Sequence, residues 1–179
     1  VIIIKSDVLR LFVAVNFNNQ IIDALCRASG DLKKKAGSGN FTKKENFHLT
    51  LAFIGETDRL SDVKRTLDGI SFSPFEITLG KPGVFRRPGG DIYFVSALSD
   101  GLEGLANKVS EDLRESGFDI EKRKFVPHIT LARQVVGSGD ITFEVSPAVM
   151  AVNRISLMKS ERINGVLKYT EVYLKEAVR

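Results

Sequence analysis

His48 and His128 are the only histidines in a chain of 179 residues, and both sit in nearly the same short word. The first reads FHLTLAF over residues 47–53, the second PHITLAR over residues 127–133. Side chains of an extended strand alternate between two faces, so His48 projects with Thr50 and His128 with Thr130. Phe47, Leu49, Leu51 and Phe53 take the opposite face of the first word, as Ile129 and Leu131 do in the second. Each word is an imidazole and a hydroxyl on an apolar back, with α-carbons about 6.5–7 Å apart. One such word alone is commonly a packed or surface feature. Two copies of His-x-Thr-Leu-Ala that use every histidine in the chain exceed what packing asks for.

Several uses of histidine fit poorly. Zinc needs three or four ligands, and the chain adds one cysteine and only the flanking Glu45 and Glu56 near the words. A serine or cysteine nucleophile would employ one histidine as its base and leave the other idle. The stretch KPGVFRRPGG lacks the spacing of a phosphate-binding loop, and no dinucleotide fingerprint occurs. Two imidazoles titrating near about pH 6.5 can take one proton and give another in the same displacement. In-line attack at phosphorus needs that, because nucleophile and leaving oxygen lie on opposite sides. Thr50 and Thr130 would hold the nonbridging oxygens, where charge builds in the transition state. The expectation is metal-free acid–base chemistry with no cofactor.

For those groups to meet, strands from distant parts of the chain must face each other. Residues 9–16 (LRLFVAVN) are rich in β-branched and aromatic residues and read as a strand. Asn18 is placed to cap a helix with the stripe Ile21, Leu25, Ala28, Leu32 and Ala36, stopped by Gly37. SGN at 38–40 reads as a loop, residues 47–54 as the first histidine strand, and Leu60, Val63, Leu67 and Ile70 as a shorter helix. Strands at 75–80 and 92–98 flank the loop KPGVFRRPGGD. Ser99 or Asp100 opens a helix with Glu103 near its third position, the stripe Leu102, Leu105, Ala106, Val109 and Leu113, and Gly117 at its end. The second histidine strand spans 126–132. After the loop Gly137-Ser138-Gly139, two long strands at 149–159 and 166–175 are joined by an Asn164-Gly165 hairpin turn. Both histidine strands thus follow a helix, which predicts an internally duplicated α+β protein. Two antiparallel sheets would face each other with helices on their outer sides.

With 43% hydrophobic and 27% charged residues, the composition is that of a compact, ordered protein. Its length suits one ordinary domain or two small lobes sharing a core, burying about 70% of the unfolded surface. Cys26 is the single cysteine and can form no internal disulfide; it suits a reducing compartment and reads as core filler on a helix. The apolar stretch 1–17 is interrupted by Lys5, Asp7 and Arg10, so it resembles neither a signal peptide nor a membrane span. A cytoplasmic protein engaging no membrane is expected. A net charge of +4 leans toward polyanions such as RNA. Lys43-Lys44 and Lys122-Arg123-Lys124 stand just upstream of the two words, and Arg86-Arg87 forms another cluster. Lys33-Lys34-Lys35 reads as a solvated helix end, where cations are favourable.

The chain resembles the 2H phosphoesterase superfamily, named for two His-x-Thr/Ser motifs, and within it the LigT-like RNA 2′,3′-cyclic phosphodiesterases, also called 2′-5′ RNA ligases. The resemblance rests on RLFVAVNF, NFHLTLAFIGE, a GVF-loop-IYFVSA stretch, FVPHITLAR and the closing hairpin, which together cover nearly the whole chain. It implies a single bilobal domain over 1–179 with a central cleft and no metal cofactor. The implied substrate is RNA or an oligonucleotide with a 2′,3′-cyclic phosphate end, tRNA fragments included, opened to a 2′-phosphomonoester with 2′-5′ ligation as the reverse chemistry. It also implies that His128 is the base activating water, that His48 is the acid protonating the departing 3′ oxygen, and that Thr50 and Thr130 bind substrate.

Arg133 matches a family position where a basic group serves the phosphate. Strict alternation points it away from His128, so that role requires the strand to bend near Ala132. Phe53 holds the matching place in the first word, as a packing or base-stacking residue. Family members often lead from an arginine-proline loop into a tryptophan; here Arg86-Arg87-Pro88 leads to Tyr93 in a chain without tryptophan, making Tyr93 or Phe94 the candidate base platform. Two other readings stand beside this one. The chain could be a non-catalytic RNA-end-binding or RNA-processing accessory protein, or a 2H enzyme for another cyclic phosphate such as ADP-ribose 1″,2″-cyclic phosphate. It is expected to act as a monomer.

Overall fold

The structure, a computed structural model, describes residues 7–137 and 139–178, so Lys5 and Ser138 of the sequence reading lie outside the described residues. The first half runs β1 (Leu9–Val15), α1 (Asn19–Lys35), β2 (Ser38–Phe41), a 3-10 turn at Lys44–Asn46, β3 (Leu49–Thr57) and α2 (Leu60–Asp68). Then come β4 (Phe75–Phe85), β5 (Asp91–Leu98), α3 (Leu102–Glu115), β6 (His128–Val136), β7 (Val149–Val152), β8 (Arg154–Ile163) and β9 (Val166–Glu176). Two antiparallel sheets result, ordered β3-β1-β8-β9 and β2-β6-β5-β4-β7.

The two orders correspond strand for strand once β2 is set aside. In each, the unit β-α-β places its strands as antiparallel neighbours, β1-α1-β3 in one sheet and β5-α3-β6 in the other. The predicted duplication is therefore present in the topology. The helices cross over: α1 lies against β2, β6 and β7, while α3 lies against β3 and α2. Each half's helix thus supports the strand that opens at or just after the other half's histidine. One continuous apolar cluster follows, containing Leu49 and Leu51 from behind the first word and Ile129 and Leu131 from behind the second.

Local sequence accounts for most elements. Asn18 Oδ1 accepts the Ile21 N–H at 3.0 Å, a cap contributing about 1 kcal/mol, and the stripe from Ile21 to Leu32 is buried. Cys26 is half-buried on this helix against the core. All five stripe residues of α3 are buried, but its N-cap falls at Gly101, with Ser99 Oγ accepting the Gly101 N–H. At the Asn164-Gly165 turn both φ angles are positive, 51° and 77°, as a tight hairpin of this twist requires.

The structure corrects three predicted boundaries. SGN is no loop: β2 pairs with the edge of β6, whose free backbone groups outweigh the weak strand propensity of those residues. Gly37 makes the approach possible, since its N–H donates to Val136 O at 3.0 Å and a Cβ there would lie 2.9 Å from that oxygen. KPGVF belongs to β4, which accommodates Pro82 through a register shift between Leu79 and Pro82. The predicted strand at 149–159 is two strands broken at Asn153, β7 pairing with β4 and β8 with β1, so the chain passes there from one sheet to the other.

Candidate active site

Both imidazoles are fixed by the same device. The Nδ1–H of His48 donates to the Asn46 carbonyl at 2.8 Å, and that of His128 donates to the Val126 carbonyl at 2.7 Å, each two residues back. A carbonyl can only accept, so the neutral ring carries its proton on Nδ1 and its lone pair on Nε2. His128 opens β6, whereas His48 lies just ahead of β3, in extended backbone after the 3-10 turn. Thr50 Oγ1 donates to His48 Nε2 at 3.0 Å. The buried Asn46 side chain donates to Leu167 O at 3.0 Å and so ties this segment to the start of β9.

The strands leave strict alternation at matching places. Opposite β1, Thr50 pairs with Ala14 and Ala52 with Val13, which makes Leu51 an extra residue. Opposite β5, Thr130 pairs with Phe94 and Ala132 with Tyr93, which makes Leu131 the extra one. Such a bulge shifts every later side chain to the other face. Leu131 and Ala132 are consequently both buried, and Arg133 emerges on the side of the histidines. This is the bend that the sequence reading required of Arg133. Phe53 is turned out by the same shift, so its predicted place on the apolar back is corrected: it is exposed.

His48, Thr50, His128, Thr130 and Arg133 line a single open cleft of about 1270 Å³. Its cationic lining is Lys33, Lys43, Arg87, Arg133 and Arg162, with no carboxylate among the described lining residues. A region of one sign walled by protein focuses potential and draws anions. Lys33 lies exposed in the last turn of α1, as expected of a solvated helix end, and from there it also lines the cleft, its Nζ 5.7 Å from the Phe41 ring centre. Lys43 enters from the cluster upstream of the first word, while Lys44 pairs with Asp23.

Aromatic rings wall each imidazole. Phe12 and Tyr169 lie 4.8 and 5.0 Å from the His48 ring, and Phe85 and Phe94 lie 5.2 and 5.5 Å from that of His128. Burial in this setting holds both histidines below their ordinary pKa, the backbone hydrogen bonds oppose it, and the Arg133 charge lowers both further. His48 also feels the charge of His128. Burial raises the Tyr169 hydroxyl.

Neither candidate base platform offers a free face. Tyr93 is core, its hydroxyl accepting the Ile141 N–H, and Phe94 is stacked on Phe85 at 4.3 Å. Sequence reasoning missed Tyr169, Arg162, Phe85 and Asn46. Tyr169 and Arg162 sit on the closing hairpin far from either word, and only the sheet order brings them near. Asn46, two residues before His48, was legible as the mate of Val126 only through the paired clamps.

Two like sheets, each bringing one histidine word to a shared cleft, define a 2H phosphoesterase architecture. The crystal structure of Escherichia coli LigT complexed with 3′-AMP superposes with a TM-score of 0.83 at 25% identity, covering 97% of this chain and 100% of that one. The chain belongs to the 2′-5′ RNA ligase superfamily, whose profile matches residues 22–164. An RNA 2′,3′-cyclic phosphodiesterase of Archaeoglobus fulgidus is 33% identical over 70% of this chain and 72% of its own length. One of Methanothermobacter thermautotrophicus is 28% identical over 91% of this chain and 96% of its own. No helix among the described residues is long and apolar enough to cross a membrane.

Proposed function

We propose that this chain opens RNA 2′,3′-cyclic phosphate termini to 2′-phosphomonoesters by acid–base catalysis between His128 and His48. The observation that carries the reading is the pair of clamps: two Nδ1 atoms held by carbonyls leave two Nε2 atoms for proton transfer in one cationic cleft. His128 Nε2 takes a proton from water as its oxygen attacks phosphorus. The bond from phosphorus to O3′ breaks, and protonated His48 gives its Nε2 proton to O3′. Exchange of protons with solvent restores both rings. Thr50, Thr130 and Arg133 meet the nonbridging oxygens, where their dipoles and charge favour the transition state. A 5′-hydroxyl in place of water would form a 2′-5′ bond by the same proton transfers.

The proposed reaction uses no metal. Among the described residues no three side chains of the His, Cys, Asp and Glu types converge to hold one. The partner is an RNA or oligonucleotide end, tRNA fragments among them, and a monomer suffices because both imidazoles come from one chain. A reducing, cytoplasmic setting suits the lone Cys26. The test is turnover of adenosine 2′,3′-cyclic monophosphate and of a short RNA with the same end, in chelator, with the product identified by phosphorus NMR. The 2′-phosphate is expected from both. A 3′-phosphate product, or activity abolished by chelator, overturns the reading.

A further inference from the structure

Five lysines and arginines line the cleft, more than the single negative charge of one cyclic phosphate calls for. None of Lys33, Lys43, Arg87, Arg133 and Arg162 forms an ion pair among the described residues. Their neighbours in sequence do. Lys35 pairs with Asp31, Lys44 with Asp23, and Arg86 with both Asp91 and Asp140, and none of these lines the cleft. At three places, therefore, two nearby cations are divided: one is neutralised outside the cleft and one is left bare inside it.

The bare cations from those three places flank one strand. β2 lies along β6 with Asn40 opposite Arg133 and Phe41 opposite Ala132. Lys43 follows directly after Thr42, whose hydroxyl donates to Thr130 O. Lys33 Nζ lies over the Phe41 ring, and the Arg87 guanidinium lies 5.9 Å from the centre of Phe85, the ring that walls His128. An aromatic face attracts a cation without cancelling its charge. Lys33 and Lys43 thus stand on the β2 side of β6 and Arg87 on the β4–β5 side, while Arg133 rises from β6 itself. Arg162 belongs to the hairpin of the other sheet.

The cyclic phosphate occupies both the 2′ and the 3′ oxygen of the last ribose. That nucleotide then has two further groups to place: its base, which is neutral, and its 5′ oxygen, which carries the next phosphate. Only the second calls for cations. Arg133 offsets the charge of the reacting phosphate, which leaves Lys33, Lys43 and Arg87 without an anion. We propose that these three form a subsite for the 5′ phosphate of the terminal nucleotide, which rests on the reading of the cleft as an RNA-end site. The terminal base is left to the uncharged walls of the cleft. Such a subsite selects the end of an RNA strand over a free nucleoside cyclic phosphate.

The test compares kcat/KM for adenosine 2′,3′-cyclic monophosphate with that for the same compound bearing a 5′ phosphate, so that base and reacting ring are identical. The parent is expected to favour the 5′-phosphorylated substrate about tenfold at low salt and less at high salt. Lys33→Gln, Lys43→Gln and Arg87→Gln should each lower that ratio about threefold. Lys35→Gln and Lys44→Gln remove the same charge from the paired neighbours and should leave the ratio as it is. A parent without the preference, a ratio unmoved by all three cleft variants, or one that falls equally in the two controls overturns the subsite. If the parent opens neither substrate, the proposed activity fails by itself. Calorimetric binding of adenosine 2′,5′-bisphosphate and adenosine 2′-monophosphate then decides the subsite: tighter binding of the bisphosphate that is lost in Arg87→Gln and kept in Lys44→Gln upholds it, and equal binding of the two by the parent overturns it.

Discussion

The two histidine segments share a frame and differ in what the frame carries. Both hold Nδ1 to a carbonyl two residues back, both bulge at the leucine three residues on, and both lean on two aromatic rings. His48 is the more enclosed ring, and Thr50 donates to its Nε2. Thr130 spends only its carbonyl, which accepts from Thr42 Oγ1. After the bulge, one sheet presents Phe53 and the other Arg133. Duplication thus brings one imidazole from each sheet to the same cleft, and under the proposed mechanism the departures from it would separate their roles. In the proposed mechanism the more open ring takes the water side and the enclosed ring the leaving-group side.

The strongest way to break this comparison is to remove either ring. His48→Ala and His128→Ala are each expected to lose about 10²–10⁴-fold in kcat on a cyclic-phosphate RNA, measured under saturating substrate. The double variant should lose little more, because acid and base act in one displacement. A single variant with near-parental kcat would show that one frame is ornamental.

Arg133 sharpens the comparison because its charge lowers both imidazoles. In the free protein both pKa values lie below about 6.5, so the kcat/KM optimum should fall on the acid side of that value. Removing the cation makes each protonated ring easier to keep, so both pKa values rise. Arg133→Gln should therefore shift the optimum to higher pH while losing about 10²-fold in kcat/KM. Arg133→Lys keeps the charge and should keep the optimum. An unmoved pH profile in Arg133→Gln would place the guanidinium away from the rings.

Most of this was legible in the words themselves, and the missing part has a physical reason. The spacing His-x-Thr fixes which groups share a face, and helical stripes such as Leu102 to Leu113 fix which face is buried. A bulge has no such signature. Nothing in LTLAF or ITLAR marks the leucine as an extra residue, so period-two counting placed Phe53 behind the sheet. It would have misplaced Arg133 too, had the family position not required a bend. Sheet partners are likewise set by the fold: SGN became β2 because β6 had an open edge, and Tyr169 reached His48 because β9 closes the β1 sheet.

A smaller difference is expected between the threonines. Thr130→Val should lower kcat on the order of 10–100-fold, the loss of one hydrogen bond to a charged oxygen. Thr50→Val should lose less, because Thr50 Oγ1 shares its hydrogen bonding with His48 Nε2, accepting from it once the ring is protonated. Serine at either position should restore activity. Equal losses would mean that the Thr50 bond to the ring does not compete with substrate.

The smallest effects test whether the aromatic walls are equivalent. Tyr169 meets His48 edge-on at 5.0 Å and Phe85 meets His128 edge-on at 5.2 Å, so the packing each ring adds should be similar. Tyr169→Leu and Phe85→Leu should each lower kcat about two- to tenfold, while Tyr169→Phe, which keeps the ring, should remain near the parent. The hydroxyl is held up in pKa by burial and stays protonated, so it brings no charge to the reaction at neutral pH. A large loss in Tyr169→Phe would reverse that inference: the His48 side would then own a third polar group with no counterpart beside His128, and the walls would differ in chemistry as well as in sequence.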